Sequence, residues 1–251
     1  MKIARPLIIL AGLLVLWQAI VIISGAPPYI LPGPLAVIKA WTSRPELFLE
    51  HGLITTAEIL LGLFFGLVLG VTSALTMAYF RPAREWLLPV LVVSQAVPVF
   101  ALAPILVLWF GYGMSSKVVM ATLIIYFPVT AAFHDGLRRT EPGWIDLARA
   151  MNGSRWSILR HVRIPAALPA LGSGLRVATA VAPIGAIVGE WVGSSSGLGY
   201  LMLHANARMQ IDVMFAALAT LAALAVALYF TIDYAVRHSI KWQPESHPND
   251  P

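Results

Sequence analysis

Arg176 and Glu190 stand fourteen residues apart within one apolar stretch of the chain. Ionisable groups in such a stretch are expensive to place in lipid, so they default to functional work: pairing, relaying an ion or proton, or meeting a polar solute. Their spacing is about 21 Å along a helix. They cannot pair with each other, although both fall on nearly the same face. Glu58, Ser94 and Gln95 lie in two other apolar stretches and are further candidates to face the interior. Ser94, Gln95, Arg176 and Glu190 are therefore expected along a path for a polar solute. The plain alternatives are that Arg176 snorkels to one membrane surface and that Glu58 and Glu190 lie close to the other.

Other constellations carry less. His134 and Asp135 are adjacent, so they cannot share one helix face, and no second ligand cluster accompanies them. The 6 histidines are scattered, and the absence of cysteine excludes disulfides, thiolate metal sites and cysteine nucleophiles. Gly111-Tyr112-Gly113 matches part of a potassium filter. Trp109-Phe110 precedes it in place of Thr-Val, and the segment reads as a short turn. No GxxxxGK[ST] sequence is present, so no nucleotide site is expected on this chain, and neither is a cofactor.

The strongest pattern is the block DLARAMNGSRWSILRHVRIP, from Asp146 to Pro165. It carries Arg149, Arg155, Arg160 and Arg163, with Arg138 and Arg139 just ahead. Thr140 is expected to cap a short helix whose first turn holds Glu141 and Pro142. Trp144, Ala148 and Met151 then share a face. Asn152-Gly153 breaks the helix, since both residues accept a left-handed conformation. Ser154 is expected to cap a second short helix, and Pro165 to stop it. Such an element serves either as an amphipathic linker lying on anionic lipid or as a rigid dock for a partner.

The rest of the chain must position these groups. Of 251 residues, 59% are hydrophobic and 12% charged, where a soluble domain carries about 25% charged. Six apolar runs are long enough to be read as membrane spans: 7–23, 53–78, 87–110, 118–133, 167–191 and 213–236. The first could be a signal peptide. Its length, and Pro27-Pro28 directly after the candidate cleavage site, favour a retained span. With the N-terminus inside, inner segments hold Lys2, Arg5, Arg81, Arg84, Arg138, Arg139, Arg149, Arg155, Arg160, Arg163, Arg237 and Lys241. Outer segments hold Lys39, Arg44, Lys117 and Arg208. That distribution obeys the positive-inside rule and puts both termini and the basic block in the cytoplasm. It also accounts for the net charge of +5 without nucleic acid. Gly62, Gly66 and Gly70 form one stripe of small residues, and Gly185, Gly189 and Gly193 another. Each allows close helix approach, as internal packing, at a dimer seam or on a rocking helix. Pro98, Pro104, Pro128 and Pro183 are expected to kink their helices.

The block resembles the cytoplasmic EAA loop of ABC importer permeases of the binding-protein-dependent type. The family pattern is Glu-Ala-Ala, three residues, Gly, nine residues, Ile, any residue, Leu-Pro. Asp146-Leu147-Ala148 takes the triplet, Asn152 the glycine, and Val162-Arg163-Ile164-Pro165 the end. Five positions differ in type, and the spacing is kept in full. PPYILPGPLAVIKAW, PVFALAPILVLWFGYG and GLRVATAVAPIGAIVGEW are similar to the sulfonate, nitrate, taurine and pyrimidine branch of these permeases. SQAVPVFALAPILVLWFGYG, HDGLRRTEPGWIDLARAM and LMLHANARMQ are most similar to members for thiamine-precursor uptake.

The resemblance implies an all-α integral membrane protein of the type I importer permease (MetI-like) fold, with six transmembrane helices and a cytoplasmic coupling helix-turn-helix. Residues 1–251 would be one permease domain, 53–240 its five-helix core and 134–165 the coupling loop. It implies two ATPase subunits that bind the ATP, a periplasmic or lipid-anchored substrate-binding protein, and a second permease copy as a homodimer in the bacterial cytoplasmic membrane. Asp146, Ala148, Ala150, Met151, Asn152, Gly153, Ser154, Trp156 and Pro165 would meet the ATPase, and the segment 197–212 the binding protein. The implied cargo is hydroxymethylpyrimidine or a related pyrimidine, with a sulfonate, taurine or nitrate as the alternative. A secondary transporter or a membrane-embedded enzyme is the rival of another class.

Overall fold

The computed structural model describes residues 4–242, save for the side chains of residues 4–7 and of Gln95. Every regular element among them is a helix: α1 (Ala4–Ser24), α2 (Pro34–Ser43), α3 (Pro45–Tyr79), α4 (Arg81–Ala96), α5 (Val99–Phe110), α6 (Met114–Arg138), α7 (Pro142–Ala150), α8 (Arg155–Ile158), α9 (Ile164–Gly193), α10 (Leu198–Ala207) and α11 (Ile211–Ser239). A π-turn, Leu159–Arg163, joins α8 to α9.

Among the described residues, four helices are long and apolar enough to cross a membrane: α3, α6, the continuous run from α8 through α9, and α11. The pair α4–α5, bent by 101° at its break, is either a fifth, broken span or a re-entrant loop. The third apolar run was expected as one kinked helix, but it is broken outright. Pro98 has no amide hydrogen and disfavours helical backbone in the residue before it. Val97 is accordingly extended, at φ −86° and ψ 116°. The first of the six expected spans corresponds to α1, which at 21 residues is shorter than the other four. Trp17 stacks α1 on Phe215 of α11 at 5.8 Å. The other prolines inside helices do not break them: α4 runs through Pro89, α5 through Pro104, α6 through Pro128, and α9 through Pro169 and Pro183.

At the centre of the bundle, α6 lies between α3 and α9. Ile59, Leu63, Ala121, Ile125, Val129, Ala178, Ala182 and Ala186 form the buried seam. The first glycine stripe and two members of the second are spent on this contact, while Gly193 packs against Val107 of α5. A Cβ on Gly62 would lie 2.5 Å from Ala121 Cβ, and one on Gly70 would lie 2.7 Å from Val129 Cγ1. On the other flank, a Cβ on Gly185 would lie 2.8 Å from Ala121 Cα, and one on Gly189 3.1 Å from Lys117 Cγ. Lipid supplies no hydrophobic drive for helix association, so close van der Waals approach has to hold such a seam. The stripes serve internal packing, the first of the readings open from sequence.

Candidate functional site

The basic block forms one end of the bundle. α7 starts after Glu141, and Thr140 does not cap it. The Thr140 hydroxyl instead donates back to Leu137 O at 3.2 Å, taking a carbonyl that the end of α6 leaves free. α7 ends in a left-handed residue, Asn152, at φ 59°. Gly153 N–H donates to Ala148 O and Asn152 N–H to Arg149 O, both at 2.9 Å. This pair of bonds is a Schellman closure, with Asn152 in the position usually held by glycine. Gly153 is not left-handed, contrary to expectation. Its small size matters instead, because a Cβ there would lie 2.7 Å from Ala148 O. Ser154 caps α8 as expected, accepting from Ser157 N–H at 3.2 Å.

Pro165 does not stop the second helix. It sits in the first turn of α9, and the chain runs on as helix from Arg155 to Gly193. The π-turn makes this possible. Ile164 N–H reaches back to Leu159 O, five residues earlier, so the helix widens where a proline ring would otherwise press on the preceding turn.

The residues expected to meet a partner gather on this end. Asp146 and Ala150 are exposed, and Asp146 pairs with Arg149 at 3.1 Å on the same helix. Trp144, Leu147 and Met151 lie outward on α7, with Met151 75% exposed. Ala148 and Pro165 line a groove of about 940 Å³ beside them. Trp156 turns its exposed ring edge-on to Tyr79 of α3, centroids 6.0 Å apart. Arg163, read from sequence as part of a basic face, turns inward. Its Nε and Nη2 donate to Leu137 O at 3.1 and 2.9 Å, and its Nη1 to Ala78 O at 3.4 Å.

The opposite end holds a buried polar cluster. Glu190 of α9 accepts from the N–H groups of Gly199 and, at 3.3 Å, Tyr200. Thr55 donates to Glu190 Oε1 at 2.6 Å and accepts from Leu198 N–H at 2.8 Å. His51 Nδ1 accepts from Gly197 N–H at 2.9 Å. Side chains of α3 and α9 thus take the first free amides of α10, which have no partner within their own helix. Gly197, at φ 103°, and Gly199 leave room for the carboxylate. Below them Glu58 faces Lys117 Nζ at 3.5 Å, both buried. Lys117 is therefore a residue inside α6 and not the outer loop charge expected from sequence.

Arg176 and Glu190, candidates for one path, have separate partners. Arg176 Nε bonds Asp233 of α11 at 2.6 Å, and Arg237 meets the other oxygen of Asp233 at 2.9 Å. Ser94 lies on α4 with its hydroxyl turned back to Leu91 O. The side chain of Gln95 lies outside the described residues. Asp233, Thr55 and His51 were missed from sequence. Asp233 could have been noted as an acid four residues before Arg237 in an apolar run. The roles of Thr55 and His51 depend on residues more than 130 positions away.

Comparison with known proteins adds the family. Residues 62–242 match the family described as binding-protein-dependent transport system inner membrane component. A probable ABC transporter permease protein of Haemophilus influenzae is 55% identical over 96% of this chain and 98% of its own length. The riboflavin transport system permease protein RibX of Chloroflexus aurantiacus is 38% identical over 92% of this chain and 87% of its own. The formylaminopyrimidine transport permease protein ThiX of Halalkalibacterium halodurans is 34% identical over 95% of this chain and 96% of its own. In fold, a chain of the MetNI methionine ABC transporter in an inward-facing form superposes with a TM-score of 0.68. It covers 78% of this chain and 97% of that one at 21% identity.

Proposed function

This chain belongs to the family of binding-protein-dependent transport system inner membrane components and is the permease subunit of an ABC importer, and we propose that its cargo is hydroxymethylpyrimidine or a closely related pyrimidine precursor of thiamine. The family implies ATPase and substrate-binding-protein partners. In our reading two copies of the chain form the pathway and two ATPase subunits hold the ATP. The α7–α8 block then faces the cytoplasm with both termini and seats Trp144, Leu147, Met151 and Trp156 in the ATPase. Exposed apolar side chains on a short, rigidly closed helix suit that role, because burial on docking supplies the affinity. Of the polar groups read as lining the path, Glu190 is committed to Thr55 and the amides of α10, which leaves Ser94, Gln95 and Arg176 as those offered to it in this reading.

The likeness that supports the cargo is end-to-end similarity to a formylaminopyrimidine permease. A second reading, riboflavin, is supported by the likeness to RibX. Both named solutes are nitrogen heteroaromatics. The deciding experiment is growth of a thiamine-pyrimidine auxotroph on limiting hydroxymethylpyrimidine, with and without this chain, its ATPase and its binding protein. Rescue that needs all three parts supports the proposal. Assembly of all three without rescue on hydroxymethylpyrimidine or on formylaminopyrimidine rejects the pyrimidine, and uptake of labelled riboflavin by the same assembly then decides the second reading.

A further inference from the structure

We infer that Arg163 is a positioning residue for energy coupling, fastening the ends of α3 and α6 to the block so that a displacement of the block reaches both helices. The inference rests on the permease reading, in which the block is where movement enters.

Covalent connection alone does not distribute that movement. The block leads into α9 without a break, and it joins α6 through residues 139–141. No chain segment connects it directly to α3. The side chain of Arg163 bridges that gap, bonding Ala78 O of α3 and Leu137 O of α6 from one guanidinium. Both acceptors belong to the last turn of their helices, where carbonyls lack an intrahelical donor and the helix dipole favours a cation. A planar fork presents N–H donors on separate nitrogens in fixed directions and so spans two separated carbonyls, whereas lysine presents all its donors from a single nitrogen. Arg149, which lines the same cavity of about 480 Å³, is engaged with Asp146 on its own helix. Beyond the fork, the glycine seam leaves no slack between α3 and α6, so a shift at Ala78 is carried along the bundle. The edge-on contact of Trp156 with Tyr79 adds an apolar link to the same end of α3.

The test compares wild type, Arg163→Met and Arg163→Lys in the full complex with ATPase and binding protein in lipid nanodiscs. Hydrogen exchange with and without a non-hydrolysable ATP analogue follows how far the response spreads. In wild type it is expected to reach residues 72–79 and 130–138. In Arg163→Met it is expected to stay within residues 142–165, while basal ATPase activity is kept. Cargo moved per ATP should fall about 2- to 30-fold, the range that single positions along a transmission route produce. A wild-type exchange pattern with wild-type stoichiometry in Arg163→Met would overturn the inference. Should that variant fail to assemble, Arg163→Lys decides. It is expected to assemble and to carry the response to residues 130–138 but not to 72–79, and a response reaching both segments overturns the proposal. The exchange readout needs no cargo, so an error in the cargo leaves it decisive.

Discussion

Thr55 and Glu190, 135 residues apart in the chain, share a hydrogen bond of 2.6 Å inside the bundle, and both side chains are buried. The same hydroxyl oxygen accepts from Leu198 N–H. One small side chain therefore joins α3, α9 and the start of α10.

Thr55→Val keeps the volume and removes both bonds. Glu190 Oε1 and Leu198 N–H are then buried without that partner. Two such groups cost roughly 2–6 kcal/mol together. The purified variant should melt well below wild type in detergent, and Thr55→Ser should recover most of the loss. A valine variant that melts with wild type would show that the junction contributes nothing to stability.

Gly185→Ala tests the seam. The added methyl would lie 2.8 Å from the backbone of Ala121, an atom that cannot swing aside. Overpacking of this kind costs about 1–3 kcal/mol. Gly12→Ala is the matched control, because nothing lies within 4 Å of a Cβ there. Thermal unfolding should separate the two, with only Gly185→Ala destabilised.

Met151→Glu and Asn152→Val act on the block in different ways. Met151 is exposed, so the glutamate should leave stability within about 0.5 kcal/mol of wild type while cutting transport per ATP by weakening the seat on the ATPase. Asn152→Val should cost about 1–2 kcal/mol, since a β-branched residue resists the left-handed conformation, and Asn152→Gly should be tolerated. Pull-down of the ATPase together with thermal melting checks both. Full ATPase binding and transport in Met151→Glu would count against the docking role.

What could be read from the sequence was local or periodic. Ser154 as a cap and Asn152 as the left-handed break follow from the chemistry of one residue beside its neighbours, and both hold in the structure. Thr140 failed as a cap because α7 starts one residue later, with Glu141 in the cap position, and the Thr140 hydroxyl donates to the carbonyl at the end of α6. Pro165 failed as a stop because a π-turn can absorb a proline, and residue type carries no mark of that. The amides of α10 are taken by His51 and Thr55, far off in the chain, so only the fold reveals Glu190 as the third member of that group. The two glycine stripes were plain in the sequence. That both press on Ala121 was not, because it depends on α6 lying between them.

The π-turn at Leu159–Arg163 has a consequence for which changes the block can bear. Each residue added to or removed from an α-helix rotates everything beyond it by about 100°. Adding or removing one residue in α8, with the wide turn kept, would swing the apolar side of α7 around relative to α9. The block behaves as a phased joint, tolerant of spelling and intolerant of count. Five of its motif positions can differ from the family pattern while the interval from Asp146 to Pro165 keeps its length, because a phase error cannot be repaired by choosing a different side chain.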